Sequence, residues 1–158
     1  GLTPGKERVF LISTTHGAEM SSLGALVETI NVYEELNVTN HIWDMGKRLV
    51  SGLNEIAKEF SLQEYFYIEG AACSPNLVVC DQNKKSSFAY KTVFLYEMLE
   101  QGILMPYIAI AYEHEEKEID RTLEAVRKAI KVYSDALNGD VKDFLHGNII
   151  KPVFRKVN

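Results

Sequence analysis

Apolar positions recur along this chain with two different periods. Residues 8–13 (Arg-Val-Phe-Leu-Ile-Ser) form a short run rich in β-branched and aromatic side chains, bounded by Pro4-Gly5 and Gly17. Such a run reads as a buried strand. A helical period follows: Leu23, Leu26, Val27, Ile30, Tyr33 and Leu36 recur at steps of three and four and draw one apolar stripe. Gly24 and Ala25 lie inside it, where small side chains would let a neighbouring element approach. After Asn37 a second stripe, Ile42, Met45, Leu49, Leu53, Ile56 and Phe60, predicts another helix, turned from the first through a hairpin or sharp elbow.

The pattern then shortens. Residues 65–69 and 76–80 read as strands separated by Gly70-Ala71-Ala72 and Ser74-Pro75. Residues 86–101 are helical, with Tyr90, Phe94, Leu95, Met98 and Leu99 inward and Gly102 as the cap. Residues 103–105 and 107–111 suggest a further pair of short strands around Pro106. Glu115, Glu116 and Glu118 then load the first turn of a long helix, where negative charge suits the dipole. Its stripe is Ile119, Leu123, Val126, Ile130, Tyr133 and Leu137. A short helix and an extended tail over residues 149–154 complete the chain. This order predicts an α/β chain whose later part, from about residue 60 to 137, is a small α+β unit with helices on one face of a sheet. The strand at 8–13 needs partner strands from outside these residues.

The chain has 158 residues, is 46% hydrophobic and 25% charged, and carries a net charge of −5. That mixture excludes long disorder and leaves enough chain for one sizeable core. The acidic balance argues against nucleic acid or an anionic membrane as partner. No apolar run approaches the ~20 residues that span a bilayer, and no signal peptide opens the chain, so a cytoplasmic protein is expected. Cys73 and Cys80 make no disulfide framework and read as reduced thiols. His16, His41, His114 and His146 are too scattered for a metal site, and none is expected. The chain opens on Gly1 rather than Met, from which processing, trimming or a longer parent is expected.

Candidate chemistry concentrates at Ser13-Thr14-Thr15-His16-Gly17, where a buried strand gives way to a helix. Free backbone N–H groups at a helix start, with threonine hydroxyls beside them, suit an anion such as a phosphate. On local pattern alone simple N-capping is the leading explanation of the same residues, and His16 reads first as a structural histidine. Elsewhere the bland readings lead. Glu113-His114-Glu115-Glu116 reads as a solvated acidic helix start. Residues 81–85 read as a polar turn, and Lys151, Arg155 and Lys156 as a basic tail. No P-loop, dinucleotide glycine pattern, nucleophile elbow or paired-carboxylate motif is present in the sequence.

The segment Arg8-Val-Phe-Leu-Ile-Ser-Thr-Thr-His-Gly-Ala-Glu19, continuing through Ser21-Ser-Leu-Gly-Ala-Leu-Val-Glu-Thr-Ile30, resembles class III pyridoxal-phosphate enzymes, in their glutamate-1-semialdehyde aminomutase-like branch. The likeness resumes at Gly102-Ile-Leu-Met-Pro106 and at Glu118-Ile-Asp-Arg-Thr-Leu-Glu-Ala-Val126. The ending, residues 150–158, resembles a bacterial subgroup associated with surface-polysaccharide genes. The resemblance implies the C-terminal part of an aspartate-aminotransferase-like fold. Residues 1–37 would carry the last strand of the large domain and its outgoing helix, residues 38–60 a connecting helix, and residues 61–158 the small α+β domain and tail.

It further implies a homodimer that moves an amino group of a small amino or aldehyde substrate through a Schiff base, as an aminomutase (an isomerase) or an aminotransferase. The lysine that holds the cofactor would lie upstream of residue 1, so no catalytic residue is assigned and the chain alone is expected to be inactive. Thr14 matches the position that contacts the cofactor phosphate of the other subunit; Thr15 is adjacent. The absence of arginine near Met105-Pro106 leans toward the aminomutase-like branch. A freestanding α+β ligand-binding module and a dimerisation domain built on the first two helices are the alternatives.

Overall fold

In the computed structural model, residues 19–151 are described. The chain divides into two units, residues 1–39 and residues 40–158. The anticipated strand at 8–13, the Thr14-Thr15-His16 segment and the tail beyond residue 151 lie outside the described residues.

In the first unit, the stripe from Leu23 to Leu36 forms helix α1, Met20–Glu35. None of its residues is buried, and Leu26, Val27 and Ile30 are each about half exposed. Local bonds support it, such as Thr29 Oγ1 donating to the Ala25 carbonyl at 2.8 Å. A Cβ added at Gly24 would meet nothing within 4 Å among the described residues, so the close approach expected there is not found. Asn37, at φ 49°, takes the left-handed conformation that asparagine tolerates, and α2 begins at the next residue.

Helix α2 runs Val38–Glu59 and buries Leu49, Leu53 and Ile56, one face of its predicted stripe. The close approach sought at Gly24 occurs here. A Cβ on Gly46 would stand 2.0 Å from the Ala72 carbonyl oxygen, so the α2 backbone lies against the 71–73 turn. Strands β1, Phe66–Glu69, and β2, Asn76–Val79, pair antiparallel with Phe66 opposite Val79 and Ile68 opposite Leu77. These four side chains share the core face, because directly opposed residues of an antiparallel pair point the same way.

Helix α3, Phe88–Glu100, buries Tyr90, Val93, Phe94 and Met98. Its end is a Schellman motif: the Gly102 N–H bonds the Leu99 carbonyl at 2.8 Å and the Ile103 N–H the Met98 carbonyl at 2.9 Å. Gly102 has φ 75°, the left-handed geometry only glycine adopts freely, and stands one residue beyond the cap, Gln101. Helix α4, Glu116–Asn138, starts in a capping box between Glu115 and Glu118 and buries Ile119, Val126, Ile130 and Tyr133. A short 3-10 helix follows at Val141–Phe144, capped by Asp140.

The core lies between α2, α3, α4 and the inner sheet face. Tyr133 ties it together. Its buried hydroxyl lies 2.7 Å from the Cys80 carbonyl and 3.0 Å from that of Tyr65, just beyond β2 and just before β1. Burial pushes the Tyr133 phenol far above its ordinary pKa.

The result is α+β, with one correction. Residues 103–111 were expected to contribute strands, but they are irregular. Pro106 removes a ladder donor, and no strand among the described residues pairs with them. Met105 and Ile108 are buried all the same, so the apolar content that suggested strands instead anchors a loop. Cys73 and Cys80 are free thiols. Among the described residues, no helix is long and apolar enough to cross a membrane and no group of acidic, histidine or cysteine side chains could hold a metal ion.

Candidate functional site

The predicted phosphate-binding residues, Thr14 and Thr15, fall outside the described residues, as does His16. Within the second unit, one hollow lies beside the loop that leaves α3. The Schellman turn at Gly102 throws the chain sharply aside, and residues 103–110 then run across the start of α4. A groove of about 280 Å³ opens between them, with Leu49, Ile103, Ile110 and Ile119 among its apolar lining and Glu118 and Arg121 among its polar lining.

The polar groups around this groove are mostly spent on structure. Glu118 accepts the Glu115 N–H at 3.1 Å, and Thr122 Oγ1 donates to the Glu118 carbonyl at 2.8 Å. On the outer side of α4, Arg48 makes a two-pronged pair with Asp120 at 2.9 and 3.0 Å and stands 3.4 Å from Glu116. The hydrogen bonds that Arg48 donates to Asp120 raise its pKa further. This pair fixes α4 against α2 from residues 72 apart in sequence.

His114 also has a structural role. Its Nδ1 accepts the Ala111 N–H at 3.0 Å, and its carbonyl oxygen lies 2.9 Å from His41 Nε2. A carbonyl only accepts and an amide N–H only donates, so His41 carries a proton on Nε2 and His114 has none on Nδ1. The His41 ring leans on Tyr112 with centroids 5.0 Å apart. The sequence predicts a solvated helix start at residues 113–116; the acidic residues fit that, while His114 is held by a residue 73 positions away. Nothing local in the sequence signals this pairing.

Arg121 lines the groove and takes part in no ion pair among the described residues. The groove therefore combines an apolar lining with one cationic side chain, Arg121, and one carboxylate, Glu118. Residues 81–85 form the predicted turn: Asp81 Oδ1 accepts the Asn83 and Lys85 N–H groups, and Lys84 sits at φ 61°.

No family model matches the chain. Among curated proteins, it is 26% identical over 139 residues to the glutamate-1-semialdehyde 2,1-aminomutase of Thermus thermophilus, an alignment covering 77% of this chain and 31% of that enzyme. Among solved structures, its fold matches the FumI protein of Sphingopyxis sp. MTA144 in the PLP internal aldimine form. The TM-score is 0.63 at 17% identity, over 75% of this chain and 29% of that one. The chain resembles the aminomutase-like branch of the class III pyridoxal-phosphate enzymes. It spans about a third of the length of either relative.

The described residues do not by themselves fit pyridoxal phosphate. The groove offers one unpaired cation beside the Glu118 carboxylate and no lysine amine. The half-buried amine of Lys91 borders a hollow of only about 50 Å³, too small for a substituted pyridine ring and its phosphate. A phosphate at the first turn of α4 would face Glu116 and Glu118.

Proposed function

We propose that this chain is the C-terminal portion of a homodimeric, cytoplasmic pyridoxal-phosphate enzyme with an aspartate-aminotransferase-like fold. In this reading it serves an aminomutase or aminotransferase acting on a small amino or aldehyde substrate. What carries the reading is the aminomutase likeness over 139 residues, joined by a shared fold with a pyridoxal-phosphate protein. The cofactor, when bound, supplies an electron sink for moving the amino group. The chain's own part is to grip: the Thr14 hydroxyl and backbone N–H, with Thr15 beside them, donate to the phosphate of the partner subunit's cofactor. Backbone N–H groups at a helix start, where the sequence pattern predicts this segment to lie, favour an anion. The lysine that holds the cofactor covalently belongs to sequence outside these residues, so the chain alone is inactive.

A second reading, an association module, draws on α1. Its apolar side chains, Leu23, Leu26, Val27 and Ile30 among them, are exposed and would gain from a covering surface. The two readings are compatible, since a dimeric enzyme also needs contacts between subunits.

The test has two arms. The chain alone, mixed with pyridoxal phosphate and dialysed, should keep no stoichiometric near-visible absorbance; a retained band would place the anchoring amine inside the chain and overturn the reading. In the longer protein, Thr14→Val should weaken cofactor retention about tenfold, the scale of losing one charge-assisted hydrogen bond at roughly 1.5 kcal/mol. Unchanged retention would remove Thr14 from the site.

A further inference from the structure

Lys91 stands apart from the other lysines of the second unit. It projects from α3, is half-buried, and its Nζ donates one hydrogen bond, to the Leu77 carbonyl oxygen at 3.2 Å. No carboxylate lies within ion-pair distance of it among the described residues; Lys47, Lys84 and Lys117 have such partners, and the unpaired Lys58, Lys85 and Lys131 are exposed rather than half-buried. Its side chain borders a hollow of about 50 Å³, walled by Pro75, Leu77, Met105, Pro106 and Ile108. The other titratable side chain at that hollow is Tyr107, 77% exposed and so turned largely to solvent.

We propose that Lys91 is a reactive amine site for short-chain aliphatic aldehydes, which condense with Nζ while seated in the adjoining hollow. The Leu77 carbonyl accepts one N–H of the neutral amine and so orients the nitrogen, leaving its lone pair free to attack. The lone pair forms a C–N bond to the carbonyl carbon, and a proton passes from nitrogen to the carbonyl oxygen. Loss of the resulting hydroxyl together with the remaining N–H proton, as water, leaves an imine, with no oxidant or reductant consumed. Burial without an opposing charge lowers the Lys91 pKa, which enlarges the share of free amine near neutral pH. The hollow also sets a size limit, admitting a small aliphatic chain and excluding an aromatic ring. This assignment stands apart from the cofactor reading, which places its own anchoring amine elsewhere.

The test treats the full chain with propanal and cyanoborohydride, which traps the imine as a stable alkyl amine, and maps each lysine by peptide mass. Exposed Lys58, Lys85 and Lys131 serve as internal references. Near neutral pH, Lys91 should be alkylated about threefold faster than these references or more, a ratio that falls toward one only as the pH is raised beyond the ordinary lysine pKa of about 10.4. An aromatic aldehyde, 4-carboxybenzaldehyde, should show no preference for Lys91. Lys91→Arg, which keeps a donor to Leu77, should remove the fast phase. Labelling of Lys91 at or below the reference rate would overturn the proposal. So would a preference that persists unchanged at high pH, or one shared by the aromatic probe.

Discussion

Helices α1 and α4 look alike as strings of letters and differ completely as physical objects. Both carry an apolar residue every three or four positions, six of them in each predicted stripe. In α4 that stripe is sealed into the core, with Val126, Ile130 and Tyr133 fully buried. In α1 not one residue is buried. Periodicity thus reports that a helix will form and which face wants covering, but not whether the covering surface belongs to the same stretch of chain. For α4 the cover is local: α3 and the β1–β2 pair lie within 75 residues before it. For α1 no described residue provides it.

The largest test of that contrast truncates apolar side chains in the two regions. Phe94 is fully buried and meets Phe66 edge-on at 5.0 Å, so Phe94→Ala should cost about 3–5 kcal/mol in denaturant unfolding. Ile30→Ala in α1 should stay within about 0.5 kcal/mol. A large loss at Ile30, growing with protein concentration, would mean that α1 is covered in solution by a second copy.

Glycines give a second contrast, this time with opposite signs. Gly46→Ala forces a methyl group onto the Ala72 carbonyl and should destabilise by roughly 1–3 kcal/mol. Gly24→Ala meets open space in a helix interior and should stabilise by about 0.5–1 kcal/mol. Thermal unfolding of the two variants reads both signs, and a loss at Gly24 would reveal a neighbour packed on α1.

Much of the second unit was legible because its signals are local. The acidic first turn and stripe of α4, the glycine after α3 and the Asp81 turn each express rules that act within a few residues. What escaped depends on distance along the chain. The small residues at 24 and 25 suggest close approach, yet the glycine that meets a backbone is Gly46, which no local pattern singles out. The strand reading of residues 103–111 rested on β-branched and aromatic content, which measures fitness for a half-buried surface and not the presence of a partner strand. The site residues Thr14 and Thr15 were legible only through family likeness, since the same letters serve as an ordinary helix cap.

A hydroxyl deletion sharpens what holds α4 in place. Tyr133→Phe leaves the Cys80 and Tyr65 carbonyls without their phenol donor and should cost about 1–3 kcal/mol at neutral pH. The folded phenol titrates well above the unfolded one, so the native state binds the extra proton at alkaline pH. Its contribution is therefore complete below about pH 10 and is lost as pH rises beyond it. The Phe variant should show a shallower alkaline decline in unfolding free energy than the parent; parallel curves would mean that the hydroxyl reaches water.

The contact between Gly46 and the 71–73 turn gives the protein a built-in reporter. The Cys73 nitrogen lies 3.1 Å from where a Gly46 methyl would stand, and the Cys73 thiol is free and half-buried. Any fraying of the middle of α2 must release that turn and bare the sulfur, so the rate at which a thiol-specific dye labels Cys73 counts the openings of a helix that contains no cysteine.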